Sequence, residues 1–580
     1  MRSSTTLMRS GTLLALAALA AGSASAQTKP LPIKYSGPPT VAAITAGDLM
    51  TRLYIYADDS LMGRRVGTEY NTRATAYLEA QVRKLGLKPA GDDGFFQSIG
   101  LVARAFDTTA STLTVDGVAY KPGTDFVGST GGVQHAVAAA GVVVWGSVLD
   151  TTGNPTADQY NGKWVVIRGI NGLPAGFDQA AFVKSAGFAR YQAMLQSSAV
   201  VGRITISPTE QLNPALVKNM VNPAGASRTV KEAAPVALTV TSKVGDAIFG
   251  PGSATAVPGT MGKNVAADIR FIDSPRGGRN VIAVLPGSDP KLKGQYVVIG
   301  AHNDHIGFNN RPVDHDSMKV WLKHARPQGA DGSGKTLSAE DWTAINAEIA
   351  ELRKLNPPRP DSISNGADDD GSGSVTLLEL AEAFAKGAAK PKRSILFIWQ
   401  TGEESGMWGS GYFMDHPTVP RDSLVADLNI DMVGRGAPSD VTGQQKEGGL
   451  LAGADRYVQL VGSRRLSTEL GDIVENVNKD PKYNFKLDYA MDANGHPQNI
   501  YCRSDHWSYG KWGVPAVFFT TGGHADYHQV TDEPQYIRYD HMALLGHLIF
   551  DSAMRVANLD HRVLVDGVKP NPAPATACQQ

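Results

Sequence analysis

The chain has 580 residues, 42% hydrophobic and 19% charged, with 62 Gly and 33 Pro: an ordinary globular composition, long enough for more than one domain, and not that of a disordered chain. Lys and Arg number 55 against 56 Asp and Glu, a net charge of -1, which argues against a general nucleic-acid or anionic-membrane binder. Two cysteines exclude a disulfide-dense scaffold and a cysteine-rich zinc fold, so a metal would have to sit on histidines and carboxylates.

Residues 1–26 read as a cleavable signal peptide. Arg2 and Arg9 give the positive start, Gly11 to Gly22 the apolar run, and Ala24-Ser25-Ala26 the cleavage site. That run of about 12 residues is short of the ~20 needed to span a bilayer, and no later stretch approaches that length. The mature chain is expected to carry no integral membrane segment and to be periplasmic or secreted. A Pro-rich lead (Lys29 to Pro39) precedes two helical patterns, Ile44–Ala57 and Asn71–Leu85, the second closed by Gly86. Residues 27–127 form the N-terminal part of the principal domain. The texture then shifts to Gly, Ala and Val with little charge. Short β runs at Gly141–Trp145, Trp164–Ile167 and Val200–Ile206 and a helical run Phe182–Gln196 mark residues 128–264 as a smaller inserted β/α domain.

From Asn280 short apolar runs alternate with helical ones: Val281–Leu285, Tyr296–Gly300, Ser394–Trp399, Leu428–Met432 and Val514–Phe519. This alternation predicts an α/β fold, a mixed, mostly parallel sheet flanked by helices, over residues 265–560. Residues 561–580 read as a flexible tail. Cys502 and Cys578 could pair in an oxidising compartment, a point the sequence leaves open. Oligomeric state is equally open.

Acids and histidines gather at the ends of these strands, where open α/β sheets bind ligands. Tyr296–Gly300 runs into Ala301-His302-Asn303-Asp304-His305. Gly366-Ala367-Asp368-Asp369-Asp370-Gly371-Ser372-Gly373 opens a helix, with Thr376, Glu379, Glu382 and Lys386 on its polar stripe. Ser394–Trp399 is followed by Gly402-Glu403-Glu404. Leu428–Met432 contains Asp431, and the last strand leads to Asp526-Tyr527-His528. Each segment alone is weak: an Asp run before Gly-Ser-Gly is usually a helix cap, and a Glu pair is usually surface. Five together are harder to dismiss. Two His and three carboxylates suit a pair of divalent ions bridged by one carboxylate, and a further carboxylate off the metals can take a proton from water.

This ordered set resembles the family of co-catalytic di-zinc exopeptidases, which includes secreted bacterial aminopeptidases and, more distantly, glutamate carboxypeptidase II and the transferrin receptor. The resemblance implies two zinc ions per chain and a peptide substrate trimmed from its N-terminus. It implies terminal ligands at His302, Glu404, Asp431 and His528, a bridging Asp369, Glu403 as general base and then general acid, and Asp304 orienting His302. Tyr501, in Tyr501-Cys502-Arg503-Ser504-Asp505-His506, falls where some members hold a tyrosine against the tetrahedral intermediate; a core aromatic is the competing reading. The 128–264 insert resembles a protease-associated domain.

The stretch between His302 and Asp369 is longer than the short loop expected, and it carries His305, His315 and His324; a lid over the cleft and a surface excursion are both open. Within it Gly329 to Thr336 matches the phosphate-loop pattern, but no buried strand precedes it, so a Gly-rich turn before a helix capped at Ser338 is expected. Carboxypeptidase or dipeptidase activity, for which Arg503 could hold a substrate carboxylate, glutaminyl cyclisation, and a non-catalytic binding role are the alternatives.

Overall fold

The computed structural model describes residues 31–580 except 130–134, 175, 224, 229–234, 333, 389, 570–577 and 579. The signal-peptide reading and the Pro/Ala stretch before Cys578 lie outside the described residues.

The principal sheet is ordered Lys88–Pro89, Arg279–Leu285, Ser394–Gln400, Tyr296–His302, Leu424–Ile430, Ala516–Thr520, Tyr457–Val461, Lys486–Asp488, with Phe96–Ser98 also pairing to Arg279–Leu285. The four central strands, from Ser394–Gln400 to Ala516–Thr520, are mutually parallel. Their flanks are antiparallel, so the sheet is mixed as expected. Apolar side chains alternate between two faces. Val297, Ile299, Phe397 and Trp399 face a core shared with the helices Ala46–Tyr56, Gly373–Lys386 and Tyr539–Asn558. Val298, Leu396 and Ile398 face a smaller core with Phe413 and Tyr509. Burial on both faces is why these strands read as unbroken apolar runs.

Helix Gly373–Lys386 is covered nearly all round: Gly373 to Phe384 are buried without exception. Thr376, Glu379 and Glu382 of its polar stripe are therefore not solvated, while Lys386 reaches the surface. Glu379 accepts Arg52 Nε at 2.8 Å, and Glu382 meets the same guanidinium, so a charged pair from the N-terminal helix is built into the core. Gly373 has no alternative, because a Cβ there would lie 2.2 Å from Asp370 Oδ1 and 2.4 Å from the Ile430 carbonyl.

A second, eight-stranded sheet runs in the order Val118–Tyr120, Thr112–Val115, Met261–Ile269, His135–Ser147, Trp164–Arg168, Gly202–Ile206, Val236–Val240, Phe126–Gly128. It extends beyond 128–264 at both ends, because the hairpin Thr112–Tyr120 pairs onto Met261–Ile269 and shares its core. The helical run in this region is two helices, Gln179–Val183 and Ala186–Gln196.

Candidate active site

The long stretch after His302 is folded. Gly307–Asp314 pairs antiparallel with Pro360–Ser364, and helices His315–Ala325 and Ala339–Leu355 lie between them. Ser338 caps the second helix as expected, accepting the N–H of Asp341. The phosphate-loop look-alike follows a helix, and its Gly329–Asp331 turn packs on the last loop, Ala330 N–H donating to the Tyr527 carbonyl at 3.1 Å. Lys319 of this insert and Arg435 both reach Asp526 Oδ2, at 2.7 and 2.8 Å. Burial opposes the Asp526 charge, but the two cations hold its carboxyl well below the usual range. The insert thus buttresses the loop that carries His528.

The parallel strands bring the expected residues to one end of the sheet. His302 closes its strand, Glu403 and Glu404 follow Gln400 by one turn, and Asp431 is the first residue past Ile430. The Asp run divides its work. Asp368 Oδ1 accepts Gly434 N–H at 2.6 Å, and Asp370 accepts the N–H groups of His302, Gly373 and Met432 at 3.0, 2.9 and 3.1 Å. Asp532 caps the N–H groups of Asp368 and Asp369. With its neighbours committed to the scaffold, the Asp369 carboxylate is left facing the cleft. Met432 and His528 both hold left-handed backbone, φ 59° and 58°, a strain of about 1–3 kcal/mol each that marks an over-determined site.

The Asp369 carboxylate lies between two groups of donors. His302 Nε2 is 3.2 Å from Asp369 Oδ1 and 3.6 Å from Asp431 Oδ1. On the other side His528 Nε2 is 3.0 Å from Asp369 Oδ2 and 2.8 Å from Glu404 Oε2. His302 Nε2, His528 Nε2 and Glu404 Oε1 are buried without a hydrogen-bond partner. Orphaned nitrogen and oxygen atoms converging on common points, beside an excess of carboxylates, fit a bound cation on each side of Asp369. The field says the same: burial disfavours charge on His528, yet Asp369 and Glu404 push its pKa up to about 11. Asp431 is set by the Ser504 hydroxyl, donated at 2.7 Å. Glu403 lines the cleft, and burial, with Asp431 and Glu404 adding to it against His302, pushes its carboxyl well above the ordinary range.

Two expectations are revised. His302 Nδ1 faces the backbone carbonyl of Asp304 at 3.1 Å, whereas the Asp304 carboxylate stands 3.8 Å away and instead accepts the N–H groups of Gly402 at 2.7 Å and Glu403 at 3.1 Å. Asp304 therefore positions the Glu403 turn with its side chain and His302 with its main chain. Burial, with Glu404 and Asp505 nearby, pushes its pKa up to about 7. Tyr501 does not line the cleft: its ring packs with Val461 and Phe518 under the Arg465 guanidinium, 4.3 Å away, and its hydroxyl points toward Gly510. The three-residue turn Ile500–Cys502 sends Tyr501 inward and its neighbours outward.

The cleft has a volume of about 350 Å³. Met432, Met491, Ile500 and Phe518 give it an apolar wall, while Arg503, Tyr527 and the insert's Gln328 and Asp331 form its rim. Arg503 binds Asp331 through both terminal nitrogens, at 3.1 and 2.9 Å, tying insert to cleft. Cys502, also on the wall, is disulfide-bonded to Cys578. Of the three insert histidines, His324 meets Glu348 at the surface and His315 packs with Asp361, Glu533 and Tyr536 away from the cleft. His305, set aside with the insert on sequence grounds, lies in the same cluster of histidines and carboxylates, beside Glu404. Its three-residue offset from His302 was the available signal.

Residues 280–553 match the family model described as Peptidase family M28. Leucine aminopeptidase 1 of Aspergillus fumigatus is 30% identical over 190 residues, covering 30% of this chain and 43% of that protein. Its counterpart in Emericella nidulans is 28% identical over 251 residues, covering 38% and 60%. The chain thus spans less than half the length of the first of these relatives and less than two thirds of the second. Similar solved structures include the aminopeptidase from Aneurinibacillus sp. strain AM-1 (16% identity, 91% of this chain and 97% of that one, TM-score 0.44) and BSAP, a zinc aminopeptidase from Bacillus subtilis (14%, 90% and 97%, 0.46). Residues 280–553, the part of the chain that carries the match to peptidase family M28, hold His302, His305, Asp369, Glu404, Asp431 and His528.

Proposed function

We propose that the protein is an exported zinc-dependent aminopeptidase that removes the N-terminal residue of peptides, holding two ions on either side of Asp369. The observation that carries this reading is the convergence of His302, Asp369 and Asp431 on one point and of Asp369, Glu404 and His528 on another. Bound there, two divalent ions would supply Lewis acidity toward a scissile carbonyl and a water. Glu403 takes a proton from the attacking water onto its carboxylate and returns it to the leaving amine nitrogen; its raised affinity for that proton suits the second half of the task. Asp304 fixes the Glu403 turn, and Ser504 fixes Asp431. The apolar wall suits an apolar N-terminal side chain, and the acids around the ions suit a free α-amine. Arg503 gives little support to a carboxypeptidase, because its guanidinium is already paired with Asp331. A signal-like leader (residues 1–26) and the Cys502–Cys578 bridge support export to a periplasmic or extracellular compartment.

The test is hydrolysis of aminoacyl-p-nitroanilides beside their N-acetylated forms, by enzyme as purified, after chelation and after zinc is restored. Cleavage of the free-amine series alone, lost on chelation and regained with zinc, is expected. Cleavage of the acetylated series, or of neither with zinc present, overturns the reading.

A further inference from the structure

His305 is fully buried, and its Nδ1 lies 2.6 Å from Glu404 Oε1 and 3.7 Å from Asp369 Oδ2. Despite that short separation, Nδ1 and Glu404 Oε1 make no hydrogen bond with each other or with any other group. Two polar atoms that close, yet not aligned as donor and acceptor, are both aimed at a third point. The same point is approached by His528 Nε2 and Asp369 Oδ2, and ligand atoms of all four residues fall within 4.8 Å of one another. The ring is fixed there: Gly366, at φ +56°, lies flush against it, and a Cβ at that position would come within 2.5 Å of His305 Cγ and Cδ2. Among the described residues, the other side of Asp369 offers only His302, Asp369 and Asp431.

Resting on the two-ion reading above, we propose that His305 is a fourth protein ligand on the Glu404–His528 side, so that the pair of ions is held unequally. Four protein donors close a tetrahedral zinc, as in structural sites, whereas three leave a position open, as in catalytic ones. The closed ion is then the tightly kept anchor of the cleft. The open, exchangeable one is the ion beside His302 and Asp431, the two groups whose charges bear most on buried Glu403. The experiment is metal retention by the full-length enzyme, counted by atomic emission after dialysis against graded chelator. Wild type is expected to release one zinc at low chelator and the second only at far higher concentration. His305→Ala is expected to release both early, the tight step weakened more than about 100-fold, beyond the 10–100-fold that loss of an orienting residue costs. Zinc-edge X-ray absorption of wild type with one equivalent of zinc needs no variant, and should count two imidazoles per ion. A single imidazole per ion, or a His305→Ala enzyme that keeps its tight zinc unchanged, overturns the proposal while leaving the peptidase reading intact. A wild type that retains no stoichiometric zinc sinks the two-ion reading itself.

Discussion

The Asp304 carboxylate holds the peptide N–H of Glu403 at 3.1 Å while the Asp304 carbonyl faces His302 Nδ1 at the same distance, so one residue sets the Glu403 turn and the His302 imidazole relative to each other. Replacing Asp304 with Ala frees the Glu403 turn but leaves the carbonyl in place. We expect kcat to fall about 10–100-fold with KM little changed and bound zinc still near the wild-type count. Steady-state kinetics beside metal analysis checks this; loss of zinc in step with kcat would show the carboxylate acting on His302 instead.

Glu403→Gln keeps the shape of the side chain and removes its basicity. Activity should drop by about 100- to 10,000-fold, the range of general acid–base contributions, with metal content retained. Full activity in this variant would remove Glu403 from the chemistry.

Asp526 is a buried anion between two cations, Lys319 of the insert and Arg435 of the sheet end. Asp526→Asn strands Lys319 and leaves Arg435 only the Asp440 carboxylate at 3.7 Å, and should cost about 3–5 kcal/mol, read as a lower urea midpoint. Because His528 is two residues away, zinc affinity should weaken with it; Lys319→Met, which leaves the Arg435 pair whole, should be milder on both counts.

His541 accepts the Tyr457 N–H at 3.2 Å, and burial, helped by Arg538, pushes its pKa down to about 3 from 6.5. The unfolded chain therefore binds a proton that the folded one refuses between those values. Stability is present above pH 6.5 and is lost as pH falls toward 3, by about 1.4 kcal/mol per unit. Buried His506, also pushed down to about 3, adds to the effect, so urea midpoints across pH 7 to 4 should show at least this slope and His541→Gln should reduce it.

Cys502 and Cys578, 76 residues apart, close a loop around the segment that carries Ser504. On the chain-entropy account, losing that link should cost about 4 kcal/mol. Reduced protein, or Cys578→Ser, should melt earlier and, on the aminopeptidase reading, show a raised KM, since Cys502 lies on the cleft wall.

The strands were legible because burial on both faces leaves uninterrupted apolar runs, and the gathering of acids and histidines because parallel strands deliver their last residues to one edge. Asp431 is an instance: the sequence placed it inside a strand, whereas the strand ends at Ile430 and Asp431 is the first residue free to turn toward the cleft. What could not be read was direction within a turn. Tyr501 and Arg503 are two residues apart, and only the backbone decides that the first packs inward while the second reaches the rim. His305 was hidden for the same reason, its side chain returning to the cluster from a stretch that otherwise leads away. The early edge of the second sheet was missed because Thr112–Tyr120 earns its place by pairing across more than 140 positions of chain with Met261–Ile269.

The Arg52 pairing with Glu379 and Glu382 bears on where this chain can be cut. The helix that begins just after the Asp run is roofed by Ala46–Tyr56, more than two hundred positions before the family match starts at 280. A fragment drawn to the match would leave Glu379 without its cation, Glu382 with Lys386 alone, and an apolar face open to water. The smallest piece of this protein able to hold its own shape is therefore larger than the piece by which its kinship is recognised.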